Sequence, residues 1–161
     1  MKANNSFGTG CLVNAAAAYK AADNASRMGC EPVYQHKLLK MAADNGHAKA
    51  ALEVAYLMLH GLFLQTSPDG PPHPVKDAAQ ARAYLKTAAM AGHPQGIFLY
   101  AKCLGRGIGG NKDPDTQDSL LKKIRQDYLQ EEIARLTVLE FAFLGMPEPP
   151  PRSTSKARSV A

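Results

Sequence analysis

The feature of this sequence that most constrains its fold is a segment that occurs twice. The first copy, from Lys40 to Leu62, reads KMAADNGHAKAALEVAYLMLHGL, and the second, from Lys86 to Ile108, reads KTAAMAGHPQGIFLYAKCLGRGI. The copies align without a gap at an offset of 46 residues, with a Gly-His pair at the same place in both. Similarity at such a period is typical of repeat proteins, in which each unit packs on its neighbours. The sequence therefore predicts a stack of similar units.

Each copy predicts two helices joined by a tight turn. The first helix ends at Gly46 or Gly92, since glycine readily adopts the left-handed conformation that terminates a helix. A second helix follows at once, and its apolar residues recur at intervals of three and four, as on a buried helical face. These residues are Leu52, Ala55, Tyr56 and Leu59 in the first copy, and Phe98, Ala101 and Leu104 in the second. The small residues Ala50 and Gly96 would let the two helices approach closely.

The rest of the chain surrounds these units. A proline-rich stretch between them cannot be helix interior and predicts an exposed loop, whereas residues 115–144 predict either one long helix or, the favoured reading, two. An alanine-rich helix is expected from about Cys11 to Arg27, and the Pro/Ser-rich basic C-terminus should be extended and mobile. We divide the chain into an N-terminal segment with a capping helix (1–33), a first repeat (34–64), the proline-rich loop (65–76), a second repeat (77–113), a degenerate third hairpin or capping helices (114–146) and a disordered tail (147–161).

The pattern AAxxGHxxA, followed some eight residues later by a glycine-rich turn, resembles the Sel1-like repeat, a relative of the tetratricopeptide repeat. The second unit follows that pattern from Ala88 to Asp113, whereas the first departs from it after Gly61, where the proline-rich loop replaces a short glycine turn. The resemblance covers roughly residues 34–114. It implies an all-α fold, a short right-handed α–α solenoid (superhelix) of two to three helix-turn-helix repeats with an N-terminal capping helix, and an adaptor or scaffold role in protein complexes.

The distribution of charge argues against nucleic-acid binding, and the cysteines favour the cytoplasm. Lys and Arg outnumber Asp and Glu by 19 to 14, but part of that excess lies in the tail, and no arginine-rich helix or basic strand with interleaved aromatics supports nucleic-acid binding. The odd set of Cys11, Cys30 and Cys103 lacks metal-ligand or disulfide spacing and fits a reducing compartment. The N-terminus is a poor secretory signal, and no apolar stretch approaches a membrane-spanning length.

No catalytic, metal or cofactor site is predicted, and an enzyme is the least favoured class. His47 and His93 occupy equivalent helix starts, where a structural hydrogen bond accounts for them. Cys103 falls near the buried helical stripe, which indicates a packed thiol rather than a nucleophile. The glycines around Gly107 follow a helix, whereas a phosphate-binding loop follows a strand. The remaining candidates are the acids Asp69, Asp113, Asp115 and Asp118, and they stand where turns and helix starts commonly place Asp.

We therefore expect a non-enzymatic interaction module that binds a protein or peptide in the solenoid groove, and an acidic one if that groove is basic. Solenoid curvature provides such a groove, and we expect the first helices of the repeats to line it. The candidate partner-binding residues there are His36, Lys37, Lys40, Arg82 and Lys86. Two alternatives stay open, an inhibitor or immunity-type protein that blocks an enzyme or toxin, and a nucleic-acid-associated regulator that uses the basic tail. The exposed end of the stack also makes a homo-oligomer possible, because terminal repeats need polar caps.

Overall fold

The computed structural model describes residues 14–145, and that range contains seven helices and one two-stranded β-hairpin. Each helix packs on the next one along the chain. This arrangement confirms the predicted all-α solenoid. The helices are α1 (Ala15–Arg27), α2 (Pro32–Asp44), α3 (Ala48–Leu59), α4 (Ala78–Met90), α5 (Pro94–Arg106), α6 (Pro114–Asp127) and α7 (Gln130–Leu144), and the strands are β1 (Phe63–Gln65) and β2 (His73–Val75).

The helices form two layers, with α1, α3, α5 and α7 in one and α2, α4 and α6 in the other. In the first layer, which we call the odd-helix layer, the Tyr19 hydroxyl of α1 donates to Glu53 Oε1 of α3 at 2.7 Å. In the other layer, the Tyr84 hydroxyl of α4 donates to Asp44 Oδ1 of α2, also at 2.7 Å. Alternation of this kind follows when each short hairpin stacks on the previous one.

Close approach between helices rests on small residues. Ala42, Ala50 and Ala88 are fully buried in the main core. At Gly96 a Cβ atom would lie 2.7 Å from the backbone carbon and Cβ of Ala88, so α4 and α5 are closer than any side chain at residue 96 would allow. The sequence expectation that these positions bring the helices together is confirmed.

The turns between paired helices follow the repeat. Gly46 and Gly92 have φ values of +86° and +77°, in the left-handed region that favours glycine. His47 caps α3, because its Nδ1 accepts the Ala50 N–H at 3.2 Å. The matching prediction for His93 is wrong. Its side chain makes no cap bond, and its buried Nδ1 has no hydrogen-bond partner among the described residues.

Residues 114–144 form two helices, the reading that the sequence favours. Tyr128 is extended, with φ −127° and ψ 148°, and it separates α6 from α7. Ile124 of α6 and Leu136 of α7 are buried together with two residues of α5, Ile97 and Phe98. This second core cluster fixes α7 to the side of α5.

The proline-rich segment differs from the loop that the sequence predicts, because its ends pair as β1 and β2. The register is Phe63 with Val75, Leu64 with Pro74, and Gln65 with His73. Alternate residues of an antiparallel strand point their amides away from the partner strand. Leu64 does so, since its N–H is accepted by His36 Nδ1 at 2.9 Å, so Pro74 opposite it loses no ladder bond. Prolines exclude a helix here, but they do not exclude this short edge strand.

Two expectations fall partly on residues beyond 14–145. The helix predicted from about Cys11 begins at Ala15, where the Asn14 side chain accepts the Ala16 N–H at 3.1 Å, and the positions before Asn14 lie outside the described residues. The predicted disordered tail, 147–161, lies outside them as well. The boundaries of the proposed repeats stay a prediction.

Candidate functional site

An apolar groove runs between three helices of the odd-helix layer. It has a volume of about 390 Å³. Most of its wall is apolar. We call it the α3–α5–α7 groove, and its lining residues are Leu52, Glu53, Tyr56, Leu57, Gln95 and Phe143.

Aromatic rings form one side of this groove. The Phe143 ring meets the Tyr56 ring edge-on, with centroids 5.4 Å apart, and Tyr56 also lies against His60 at 4.4 Å. His60 Nε2 is 3.0 Å from the Phe143 carbonyl oxygen. Tyr56 nevertheless keeps 38% of its surface exposed. A half-exposed tyrosine of this kind offers both apolar area and a polar tip to a partner.

A buried ion cluster connects α7 to α5. Glu140 is only 5% exposed, and it pairs with Lys102 Nζ at 3.3 Å and with the Arg106 guanidinium. Arg106 Nη1 also donates to the Gly145 carbonyl oxygen at 2.9 Å. Lys102 lies over the Phe98 ring, 5.2 Å from its centroid. The last turn of α7 is therefore held by both an acid side chain and a backbone carbonyl.

The odd-helix layer continues on both sides of the groove. Toward the C-terminus, a depression of about 240 Å³ lies between the start of α5 and α7, with Gln95 on its wall as on that of the first groove. Toward the N-terminus, Tyr19 stacks on His47 at 4.3 Å. The hydrogen bond to the Glu53 carboxylate raises the pKa of Tyr19 to about 12. The same face thus presents aromatic, apolar and charged groups from α1 to α7.

None of the five residues predicted to bind a partner lines the α3–α5–α7 groove. They lie on α2 and α4, in the other layer. His36 is half-buried, its Nδ1 is occupied by the Leu64 N–H, and its ring stacks on Phe63. Burial lowers its pKa below the ordinary value. His36 therefore holds the hairpin to α2.

The four basic residues of that set divide into two kinds. Lys40 Nζ pairs with Asp44 Oδ2 at 2.8 Å, a hydrogen bond that raises the pKa of Lys40. Arg82 Nη1 donates to the Asn111 carbonyl oxygen at 2.9 Å. Lys37 and Lys86 are exposed. Lys37 and Lys40 do come together beside β1, where they line a groove of about 180 Å³; whether any of the five contacts a partner stays a prediction.

Sequence reasoning missed the residues that build the main groove. It assigned Leu52 and Tyr56 to a buried stripe, and the exposure of Tyr56 depends on how far α7 covers α3. Phe143 stands near the end of a helix with no repeat signal. The usable clue was the charge pattern, because Lys102 and Arg106 are four residues apart on α5 and would share one face.

Cys103 and Asp113 have structural surroundings, one inside the core and the other at a helix start. Burial raises the pKa of the Cys103 thiol to about 12, so it is a protonated, packed side chain at neutral pH. The Asp113 carboxylate accepts the Thr116 N–H at 3.0 Å as the cap of α6, which lowers its pKa. Among residues 14–145, no three His, Cys, Asp or Glu side chains are grouped so that they could hold a metal ion.

Comparison with known proteins supports the architecture. The fold matches the crystal structure of a Sel1 repeat protein from Oxalobacter formigenes with a TM-score of 0.60 and 20% sequence identity, over 78% of this chain and 89% of that one. No family model and no curated protein matches the sequence. The match confirms the Sel1-like solenoid fold. None of the helices described between residues 14 and 145 has the length and apolar character that crossing a membrane requires.

Proposed function

We propose that this chain is a non-enzymatic interaction module, an adaptor or scaffold, that binds a segment of another protein in the α3–α5–α7 groove. The observation that carries this proposal is the apolar groove itself, with the half-exposed Tyr56 on its wall and cations nearby on α5. Grooves of this shape accept amphipathic helices, whose apolar side chains enter while their polar side chains remain in water.

The likeness to a Sel1 repeat protein supports the fold on which this proposal rests, and the function is argued from the surface. Tyrosine is among the residues that most often dominate binding energy at interfaces, because it buries a large area at a low entropic cost. We therefore assign Tyr56 the central contact. Lys37 and Lys86, which are exposed on the opposite layer, are proposed as a secondary surface for an acidic partner.

Three further proposals follow from the sequence. An inhibitor or immunity-type protein would use the same groove to block one enzyme. A nucleic-acid regulator would instead use the basic tail and lose binding steeply as salt rises. Self-association would occur through the end of the stack, where Val138 and Phe141 of α7 expose apolar surface.

The free thiols of Cys30 and Cys103 support a place in the reducing cytoplasm.

Affinity capture from an extract of the source cells tests the main proposal. The baits are the full chain, a chain that ends at Met146, and the full-length variant Tyr56→Glu, each at low and high salt with mass spectrometry of the bound material. Tyr34→Glu is the matched control, because Tyr34 is 54% exposed on α2, away from the groove.

We expect a discrete protein to be retained by the full chain, by the shortened chain and by Tyr34→Glu, and to be lost by Tyr56→Glu, since a carboxylate there would stand in the apolar wall. A single stoichiometric enzyme in the bound fraction would favour the inhibitor reading. Nucleic acid captured only by the full chain at low salt would overturn the proposal.

A further inference from the structure

The C-terminal turns of α7 contact α5 and α3 through one buried acid and one aromatic side chain. Glu140 is the one buried charged residue among those described. Its carboxylate reaches both Lys102 and Arg106 of α5, while Phe143, one turn later, forms part of the wall of the α3–α5–α7 groove and meets Tyr56 edge-on. An acid and an aromatic three residues apart lie on the same side of a helix, so a single helical turn contacts both the two cations and Tyr56.

The rest of α7 is held differently. Leu136 and the half-buried Ile133 pack into the second core cluster with Ile97 and Phe98. Beyond Leu136, the helix exposes Val138 at 69%, Leu139 at 38% and Phe141 at 42%. Its last two turns are held by the ion cluster and by Phe143 and Leu144, which pack half-buried against the main core. These turns lie outside the cluster around Leu136, so we expect them to separate from α5 without opening it.

From this we infer that the Lys102–Arg106 pair and the adjoining groove form a recognition site for an acidic amphipathic helix with a Glu-x-x-aromatic motif, and that the last turns of α7 occupy this site as an internal stand-in. The inference rests on the proposed function, because it names the class of segment that the groove binds. A partner helix would place its own carboxylate between the two cations and its aromatic side chain beside Tyr56.

Charge complementarity decides this choice of occupant. Lys102 and Arg106 are 27% and 20% exposed, and the charged group that faces both of them is Glu140. A purely apolar segment that displaced α7 would leave two half-buried cations without a carboxylate, and unpaired charges in that position are strongly unfavourable. A partner must therefore bring an acid to this point. Arg106 also bonds the Gly145 carbonyl, which suits the end of a helix.

The last turns of α7 compete with a partner helix for this site, so they limit the affinity for that helix. A tethered segment competes at an effective concentration in the millimolar range, so wild-type protein should bind a free copy of that segment only weakly. Removing the carboxylate charge of the tethered copy, which weakens its contacts with both Lys102 and Arg106, should release the site and tighten external binding by about tenfold.

The test uses a fluorescent synthetic peptide of residues 130–145 and the full-length chain, with binding followed by anisotropy. We expect the chain carrying Glu140→Gln to bind the peptide about tenfold more tightly than wild type. Adding Lys102→Gln and Arg106→Gln to that variant should abolish binding, because the peptide carboxylate then has no cation. Glu131→Gln is the matched control, an exposed acid on the same helix, and should bind as wild type does.

Two further measurements keep the test decisive. If Glu140→Gln does not fold, as judged by circular dichroism, Phe143→Ala takes its place and should also tighten peptide binding. A peptide in which the residue equivalent to Glu140 is Lys should not bind. The inference is overturned if the opened variant binds no more tightly than wild type, or if the Lys peptide binds equally well. If Tyr56→Glu still loses its captured protein while the opened variant shows no gain, this inference fails and the proposed function stands.

Discussion

Two glycines of α5 show how single residues set the spacing of the stack. A Cβ at Gly96 would meet the backbone of α4, at 2.7 Å from the Ala88 carbon and 2.8 Å from the Ala89 nitrogen. The atoms nearest to a Cβ at Gly105 belong to the end of the Gln117 side chain, which can rotate away. Both glycines are helical. They differ because the backbone of α4 beside Gly96 cannot move aside, whereas the Gln117 side chain beside Gly105 can.

We expect Gly96→Ala to lower the free energy of unfolding by about 1–3 kcal/mol, because the gain in helix propensity is smaller than the cost of separating two packed backbones. Gly105→Ala should leave it unchanged or raise it by up to about 1 kcal/mol. Chemical denaturation of the two variants measures both. Equal effects would show that α4 and α5 are not in backbone contact.

His36 gives the hairpin a pH dependence. Burial lowers the pKa of this residue below 6.5, and protonation removes the Nδ1 acceptor of the Leu64 N–H. Burial also lowers the pKa values of His47 and His93. A histidine with a lowered folded-state pKa contributes stability that is complete above the unfolded pKa and lost as the pH falls through the folded value.

The free energy of unfolding should therefore fall between pH 7 and pH 5. His36→Asn should reduce that fall, because an amide oxygen can accept the Leu64 N–H without titrating. The control is His73→Asn, since His73 is exposed on β2, and it should match wild type at both pH values. Urea unfolding at pH 7 and pH 5 measures these differences. If the free energy of unfolding of His36→Asn falls as much as that of wild type, the role of His36 is contradicted.

At the scale of elements, the sequence predicted the structure best within the two repeated segments. The turns at Gly46 and Gly92 and the close contact at Gly96 follow from residue types, because left-handed backbone and contact between backbones demand glycine. The hairpin was missed because its pairing depends on tertiary contacts, namely Phe63 buried beneath it and His36 at its edge. The groove was missed for a related reason, since it needs α7, which carries no repeat signal.

The hairpin also changes what a deletion should do. The exposed loop that the sequence predicts could lose residues 66–75 with helicity and melting unchanged, but this deletion removes β2, which pairs with β1 and helps keep Phe63 at 2% exposure. We therefore expect that deletion to destabilise the chain. Replacing only residues 67–72 with Asn-Gly should keep the free energy of unfolding within about 0.5 kcal/mol.

Phe63→Ala is the companion variant and should cost about 3 kcal/mol or more, as large-to-small changes of buried aromatics do. Thermal melting by circular dichroism compares it with the tip replacement. A full loss of stability in the tip replacement, or none in Phe63→Ala, would contradict the structural role of the hairpin.

At the scale of the whole molecule, the two layers present different side chains. The layer of α2, α4 and α6 carries the five partner-binding candidates that the sequence singles out, and three of them are engaged within the chain, His36 with Leu64, Lys40 with Asp44 and Arg82 with Asn111. The odd-helix layer carries the α3–α5–α7 groove, the buried Glu140 and two exposed aromatic residues, Tyr56 and Phe141. A partner should therefore meet the odd-helix layer first, and the exposed Lys37 and Lys86 of the other layer should serve as a secondary surface that acts mainly by electrostatic attraction.

Site-specific photocrosslinking in the source cells tests this central claim most directly. A photoreactive phenylalanine analogue replaces Tyr56 in the groove, Lys37 on α2, or the exposed Lys122 on α6, one position at a time. The account predicts a discrete protein adduct from position 56 that is absent from position 122 and weak or absent at position 37. An adduct from position 37 with none from position 56 would place the partner on the opposite layer and contradict the account.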